Sequence, residues 1–137
     1  MQIEDMMAIE QVIARYAYTF DQGEADLWAA VFCEDGVWEL VDQLGAEPRR
    51  RLSGRDELAA FCTHQFTSRA PGASSYHHQS SVIFDELTTS SARTRTLLIL
   101  SVKTTGEPPH VRMTGIYHDD WLRTADGWRL KRRVLTS

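Results

Sequence analysis

The chain has 137 residues, of which 42% are hydrophobic and 25% charged, and its formal net charge is −4. This length fits one domain with a sizeable core, which we expect to span residues 1–137. The acidic balance argues against binding to nucleic acid, since that requires a basic surface to displace counterions. No apolar run approaches the length of a membrane span and no signal peptide is evident, so we expect a cytoplasmic protein without a membrane partner.

The two cysteines indicate no metal or redox chemistry. Cys33 and Cys62 each lie in an apolar stretch, which is typical of a free and buried thiol. There is no Cys-x-x-Cys pair and no spacing of His and Cys that suits zinc. We therefore predict neither a metal site nor a bound cofactor.

The first third of the chain is predicted to be helical. From residue 4 to 22 apolar residues recur with the 3.6-residue period of one helix face, and Gly23 supplies a stop. A second helix is predicted from Glu24 onward, with Leu27, Trp28, Val31 and Phe32 on its buried side. A third helix is predicted from an N-cap at Ser53 to about Arg69.

The remainder indicates strands. A short strand is predicted over residues 37–41, followed by an exposed loop over 42–52 that carries three consecutive arginines. Long strands are predicted over 75–84 and 92–104. Asp126-Gly127, between two alternating runs, is the strongest short-range signal for a closing hairpin. Helices followed by strands predict an α+β fold in which the helices pack in the concavity of a curved, mostly antiparallel sheet.

Two polar residues of the first helix are candidates for function. Tyr16 lies near the middle of the apolar face and Asp21 toward its edge. Tyr16 is compatible with a core tyrosine whose hydroxyl reaches the rim, and Asp21 with a solvated helix end. However, an aspartate at a helix C-terminus opposes the helix dipole, which favours a functional role for Asp21.

Adjacent histidines, His77 and His78, open the first long strand. Neighbouring strand residues point to opposite faces, so only one of them can look into the concave side. A histidine that faces a pocket beside a carboxylate is the usual general acid/base arrangement. The alternative is that both are ordinary strand-end residues outside any pocket.

The final hairpin offers aromatic and charged side chains. Tyr117 and Trp121 share a face and either line a pocket or belong to the core. Asp119 is expected to pair with Arg133 on the neighbouring strand, as a structural rather than catalytic ion pair.

The whole chain resembles the SnoaL-like branch of the nuclear transport factor 2-like superfamily, which includes scytalone dehydratase and limonene epoxide hydrolase. The resemblance rests on spaced segments: residues 8–16, Phe20-Asp21, residues 27–36 and 53–58, His77-His78, and the hairpin of residues 115–129. It implies a cystatin-like cone with an apolar pocket.

By resemblance to the dehydratases, Asp21 is the aspartate that pairs with a pocket histidine, and Tyr16 is a tyrosine that polarises the substrate. The histidine falls on His78, or on His77 if the following turn is one residue shorter. The apolar lining is assigned to Phe20, Trp38, Phe61, Tyr117 and Trp121.

These residues predict a lyase or isomerase that acts without a metal on a small apolar molecule, of aromatic, polyketide or terpenoid type. The alternative is a non-catalytic ligand-binding or assembly subunit, similar to the small subunit of ring-hydroxylating dioxygenases. A homodimer is also expected, because the helices cover only one face of a sheet whose long strand, 92–104, is apolar on both.

Overall fold

The first two helices, a strand, the third helix and the four final strands occur in the predicted order, and one further short strand precedes the third helix. The structure, a computed structural model, describes residues 2–137. Within that range the elements are α1 (Ile3–Asp21), α2 (Ala25–Ala29), β1 (Phe32–Val41), β2 (Arg50–Ser53), α3 (Arg55–Thr67), β3 (Ala73–Leu87), β4 (Ser91–Thr104), β5 (His110–Thr124) and β6 (Gly127–Thr136).

The strands form one curved sheet in the order β2-β1-β6-β5-β4-β3. All neighbouring strands are antiparallel except β1 and β6, which run parallel. Helix α1 packs against β3 and β6, and α3 packs against β1, β2 and α2. The predicted α+β class, with helices packed on a curved and mostly antiparallel sheet, is therefore confirmed.

Helix α1 forms where the apolar period predicts it. Its first turn carries Glu4 and Asp5, which suit the positive end of the helix dipole. Ile9, Val12, Ile13, Tyr16 and Ala17 are all buried along one stripe. The helix ends at Asp21, and Gly23 follows with a φ of 72°, a conformation that glycine adopts without strain.

The predictions for the next segment were partly wrong. Helix α2 ends at Ala29, and Phe32 already belongs to β1, where it pairs with Leu130 of β6. Leu27 is 59% exposed instead of buried. A short apolar run has no periodicity that separates strand from helix, so the pairing with β6 decides the structure of residues 32–36.

The predicted loop over 42–52 contains a strand that the sequence did not reveal. Strand β2 pairs with β1, with Arg50 opposite Leu40 and Arg51 opposite Glu39. Helix α3 begins one residue later than predicted, because Gly54 and not Ser53 is the N-cap residue. Ser53 instead donates its backbone N–H to Glu57 at 3.1 Å.

The cysteines and the lengths of the helices can also be compared with the sequence. Both cysteines are free and buried, as expected. Within residues 2–137, no helix has the length and apolar character needed to cross a bilayer.

Candidate functional site

A cavity of about 550 Å³ lies between the helices and the concave side of the sheet. Helices α1 and α3 supply one wall, and residues from all six strands of the sheet supply the other. Most of the lining is apolar or aromatic: Phe20, Trp38, Leu40, Phe61, Leu98, Leu100, Val102, Met113 and Leu135. This volume lies within the range of about 300–1,000 Å³ that small-molecule sites occupy.

His77 lies at the wall of this cavity and is held by Asp21. The ring Nδ1 lies 2.6 Å from Oδ1 of Asp21, and the backbone N–H of His77 donates to Oδ2 at 2.8 Å. Both side chains are largely buried, with 9% and 14% of their surface exposed. The carboxylate therefore fixes both the backbone and the ring of His77.

The ring of His77 is also enclosed by aromatic side chains. Phe20 packs against it edge-on, with ring centres 5.1 Å apart, and Tyr16 does so at 6.1 Å. A carboxylate accepts hydrogen bonds only, so in the neutral imidazole Nδ1 carries the proton and Nε2 has the lone pair. Among residues 2–137, no group hydrogen-bonds to Nε2. A basic nitrogen is thus free at a cavity-lining residue.

Arg69 and Ser75 complete the surroundings of Asp21. The guanidinium of Arg69 donates to the backbone carbonyl of Asp21 at 2.7 Å and to Ser75 Oγ at 2.8 Å. Ser75 in turn donates to Oδ1 of Asp21 at 3.2 Å. An aspartate at the end of α1 opposes the helix dipole, and the positive charge of Arg69 offsets that cost.

His78, the first choice from the resemblance, points the other way. It follows His77 on β3 and so lies on the opposite face of the sheet. Its Nε2 lies 2.8 Å from Ser101 Oγ in an exposed position. Of the two histidines that the sequence left open, His77 is the one that lines the cavity.

Tyr16 is joined to two other aromatic residues of the cavity. Trp38 Nε1 donates to the Tyr16 hydroxyl at 3.0 Å, and that hydroxyl donates to Tyr117 Oη at 3.3 Å. Burial raises the pKa of Tyr16, although the charge of Arg133 works against the rise. Burial likewise raises the pKa of Tyr117 well above its ordinary value. Both phenols therefore stay protonated at neutral pH.

A buried ion pair lies behind the two tyrosines. As expected from the sequence, Arg133 binds Asp119, through contacts of 2.8 and 3.1 Å, and both side chains are fully buried. The guanidinium carbon lies 4.2 Å from the ring centre of Tyr16 and 3.6 Å from that of Tyr117. Burial raises the pKa of Asp119, while the charge and hydrogen bonds of Arg133 offset part of the rise.

Gln79 connects this pair to α1. Its Oε1 accepts from Arg133 Nη1 at 2.7 Å, and its Nε2 donates to the carbonyl of Ile13 at 2.9 Å. Tyr16 and Tyr117, which line the cavity, are thus backed by a hydrogen-bonded network in which the charges of Asp119 and Arg133 offset each other.

Comparison with known proteins identifies the family. A model of the SnoaL-like domain matches residues 1–134. The chain belongs to the SnoaL-like domain family. The resemblance seen in the sequence is therefore confirmed. No curated protein matches this SnoaL-like chain by sequence.

Solved structures share the SnoaL-like fold at low identity. A variant of Rv3472, a function unknown protein from Mycobacterium tuberculosis, has a TM-score of 0.83 and 21% identity, over 98% of this chain and 72% of that one. A candidate scytalone dehydratase from Novosphingobium aromaticivorans has a TM-score of 0.79 and 24% identity, over 98% and 84%. The beta subunit of a candidate aromatic-ring-hydroxylating dioxygenase from the same organism has a TM-score of 0.80 and 14% identity, over 95% of this chain and 86% of that one. These likenesses establish the fold alone.

Four of the five residues assigned to the apolar lining of this SnoaL-like cavity do line it: Phe20, Trp38, Phe61 and Tyr117. The assignment of Trp121 was wrong. Trp121 is buried but is not among the residues that line the cavity, and its Nε1 donates to Thr94 at 2.9 Å in the core. Trp121 does share a face of β5 with Tyr117, as strand alternation predicts, but it lies four residues further along the strand, opposite Ala92 of β4 and beyond the cavity.

Sequence reasoning missed three arginines that line the SnoaL-like cavity: Arg50, Arg69 and Arg112. Arg69 was expected only as a basic residue in the last turn of α3. Arg50 and Arg112 carry no local pattern that separates them from solvated surface residues.

A metal-binding cluster is not among the features of this SnoaL-like site. Within residues 2–137, no three side chains of His, Cys, Asp or Glu come together as a metal ion would require.

Proposed function

We propose that this SnoaL-like protein is a lyase or isomerase of the dehydratase type, which moves a proton on a small and partly apolar molecule. The observation that carries the proposal is the Asp21–His77 pair, at 2.6 Å, with the second ring nitrogen free at an apolar cavity. A histidine in that setting is a general base near neutral pH, and the carboxylate stabilises the imidazolium that forms.

The step is a proton transfer without a metal. On a β-hydroxy ketone, Nε2 of His77 takes the proton from the carbon beside the carbonyl. The electrons of that C–H bond form the new C=C bond as the C–O bond breaks. The imidazolium then returns the proton to the departing hydroxide, and the products are an unsaturated ketone and water. In an isomerisation, the same proton returns to another carbon of the substrate.

The tyrosine pair supplies a hydrogen bond to the substrate oxygen. Tyr16 accepts from Trp38 and donates to Tyr117, so the proton of the Tyr117 hydroxyl is left for an acceptor in the cavity. A donor aimed at the carbonyl oxygen stabilises the negative charge that builds up there. Tyr16 then acts through Tyr117, and not by direct contact with the oxygen.

The proposed ligand is a small aromatic, polyketide-like or terpenoid-like molecule. The mostly apolar lining and the volume of about 550 Å³ favour a ring system of modest size.

We also propose a homodimer, because apolar side chains of β4 and β5 are exposed on the convex face of the sheet.

Exchange of the α-protons of 2-tetralone in D₂O, followed by NMR, tests the proton transfer without knowledge of the natural substrate. The wild-type protein is expected to accelerate the exchange. His77→Gln should lower the rate by about a hundredfold or more, the share that a positioned base supplies. Asp21→Asn should also lower it, because a neutral amide does not stabilise the imidazolium.

The matched control is His78→Gln, which removes the neighbouring histidine on the opposite face of the sheet. It should exchange 2-tetralone like the wild type. No acceleration by the wild type, or an equal loss in both histidine variants, would contradict the enzymatic proposal and favour a binding or assembly module.

A further inference from the structure

The charges around the cavity are of one sign. Three arginines line it, and within residues 2–137 no aspartate or glutamate does. The carboxylate of Asp21 lies behind His77 and is not part of the lining. Arg50 and Arg112 are themselves exposed, so they lie where the cavity meets solvent, and a ligand can reach their guanidinium groups from there.

Arg50 is the unpaired member of the arginine cluster. Arg49 binds Asp42 at 2.8 Å, and Arg51 binds Glu39 at 3.1 Å. Arg50 faces the other way, opposite Leu40, and both line the cavity. Its guanidinium lies 5.1 Å from the ring centre of Phe61 and has no carboxylate partner in the described chain. The position in β2 therefore directs a free positive charge to the cavity.

Arg112 reaches the cavity through an irregularity in the sheet. In the β4–β5 ladder Leu100 pairs with Met113, and Ser101 pairs with Val111. Arg112 is thus an extra residue with no partner opposite, which defines a β-bulge. Because of the bulge, Arg112 and Met113 both line the cavity although they are neighbours in sequence. A bulge next to a site commonly redirects a side chain in this way.

The third arginine is already engaged. Arg69 donates to the Asp21 carbonyl and to Ser75, and its guanidinium lies 4.6 Å from the ring centre of Phe66. Arg112, by contrast, has no ion pair within residues 2–137. Two guanidinium groups, from Arg50 and Arg112, therefore remain available to a ligand.

We infer that the ligand of this cavity is an acid: an apolar ring system that carries a carboxylate bound by Arg50 and Arg112. The inference specifies the substrate class of the proposed enzyme and rests on that use of the cavity. A planar guanidinium binds a carboxylate through two parallel hydrogen bonds, which fixes orientation as well as charge. With the carboxylate held by the arginines, the apolar part of the molecule extends along the wall that includes His77.

Isothermal titration with 2-naphthoate and 2-naphthamide tests the charge alone, because the two probes share a ring system and differ in the anionic group. The naphthoate should bind the wild type at least tenfold more tightly. The preference should disappear in the double variant Arg50→Gln/Arg112→Gln. Arg49→Gln removes the same charge one residue away, from an arginine paired with Asp42, and should keep the preference.

Equal or tighter binding of the amide would overturn the inference, and so would a preference that survives in the double variant. Failure of both probes to bind would overturn it too, since the cavity would then not accept an aromatic acid. Circular dichroism checks that each variant is folded. The two proposals can fail separately. A preference for naphthoate in both the wild type and His77→Gln, without any exchange of 2-tetralone by the wild type, would support the acid site and contradict the enzyme.

Discussion

At the scale of single residues, the buried pair of Asp119 and Arg133 differs from the ion pairs on the surface. Both of its side chains are fully buried, so neither charge has water to replace a lost partner. The pair also lies against the rings of Tyr16 and Tyr117. Its integrity therefore determines both stability and the shape of the cavity floor.

We expect Asp119→Asn to lower the free energy of unfolding by about 3–5 kcal/mol, because it leaves a buried guanidinium without a counter-charge. Urea denaturation measures the change. Asp85→Asn is the matched control, since Asp85 binds Arg95 at 2.8 Å on the exposed face of the sheet. It should leave the unfolding curve nearly unchanged. Equal effects of the two substitutions would show that the buried pair is not required for stability.

Residue-level prediction from the sequence succeeded where a local rule applies. Strand alternation predicted that one of His77 and His78 faces inward. Only the packing of β3 against α1, which brings His77 to Asp21, shows that it is His77. For Arg112 no local rule exists, because its direction comes from a bulge that depends on the partner strand. Trp121 shares a face with Tyr117, as alternation predicts, but no local rule shows how far along β5 the cavity extends, and Trp121 lies beyond its end.

At the scale of elements, the junction of α1 and α2 supports the site. Gly23 lies there with a φ of 72°, and an added Cβ would overlap the ring of Phe66. The guanidinium of Arg69 stacks over that ring and donates a hydrogen bond to the backbone carbonyl of Asp21. The tight packing of one glycine is thus linked to the residue that holds His77.

Gly23→Ala should destabilise the protein by at least about 1 kcal/mol more than Gly106→Ala, which is the cost of a crowded methyl group. Gly106 has a similar φ of 83°, and an added Cβ there would meet no described atom within 4 Å. The comparison therefore separates packing from backbone strain. Thermal or urea unfolding measures both variants. Equal losses would mean that Phe66 moves aside freely.

Elements with a long periodic pattern could be predicted from the sequence, whereas elements defined by their partners could not. Helix α1 shows three turns of one apolar face, and it forms as expected. Strand β2 has four residues, two of them consecutive arginines, and exists because β1 lies beside it. The first half of β1 is likewise set by its parallel pairing with β6.

At the scale of the whole molecule, the two faces of the sheet have different roles. The concave face holds the cavity and the Asp21–His77 pair. The convex face exposes an outer patch of apolar side chains, defined by Tyr76, Leu97, Ile99 and Ile116, which are 38–48% exposed. Leu97 lies opposite Ile116 in the β4–β5 ladder, so the patch is continuous across strands.

We expect this outer patch to be the interface of a homodimer, because soluble monomers seldom expose a continuous apolar surface and twofold dimers are the commonest assembly. Light scattering at micromolar concentration should give twice the mass of the chain. The double variant Leu97→Lys/Ile99→Lys should give the mass of a monomer, since it places two charges at the centre of the patch. Leu44→Lys, at a 59% exposed position between β1 and β2, should remain dimeric. A wild-type protein with the mass of one chain, or a dimer that persists in the double variant, would rule out this face as the interface.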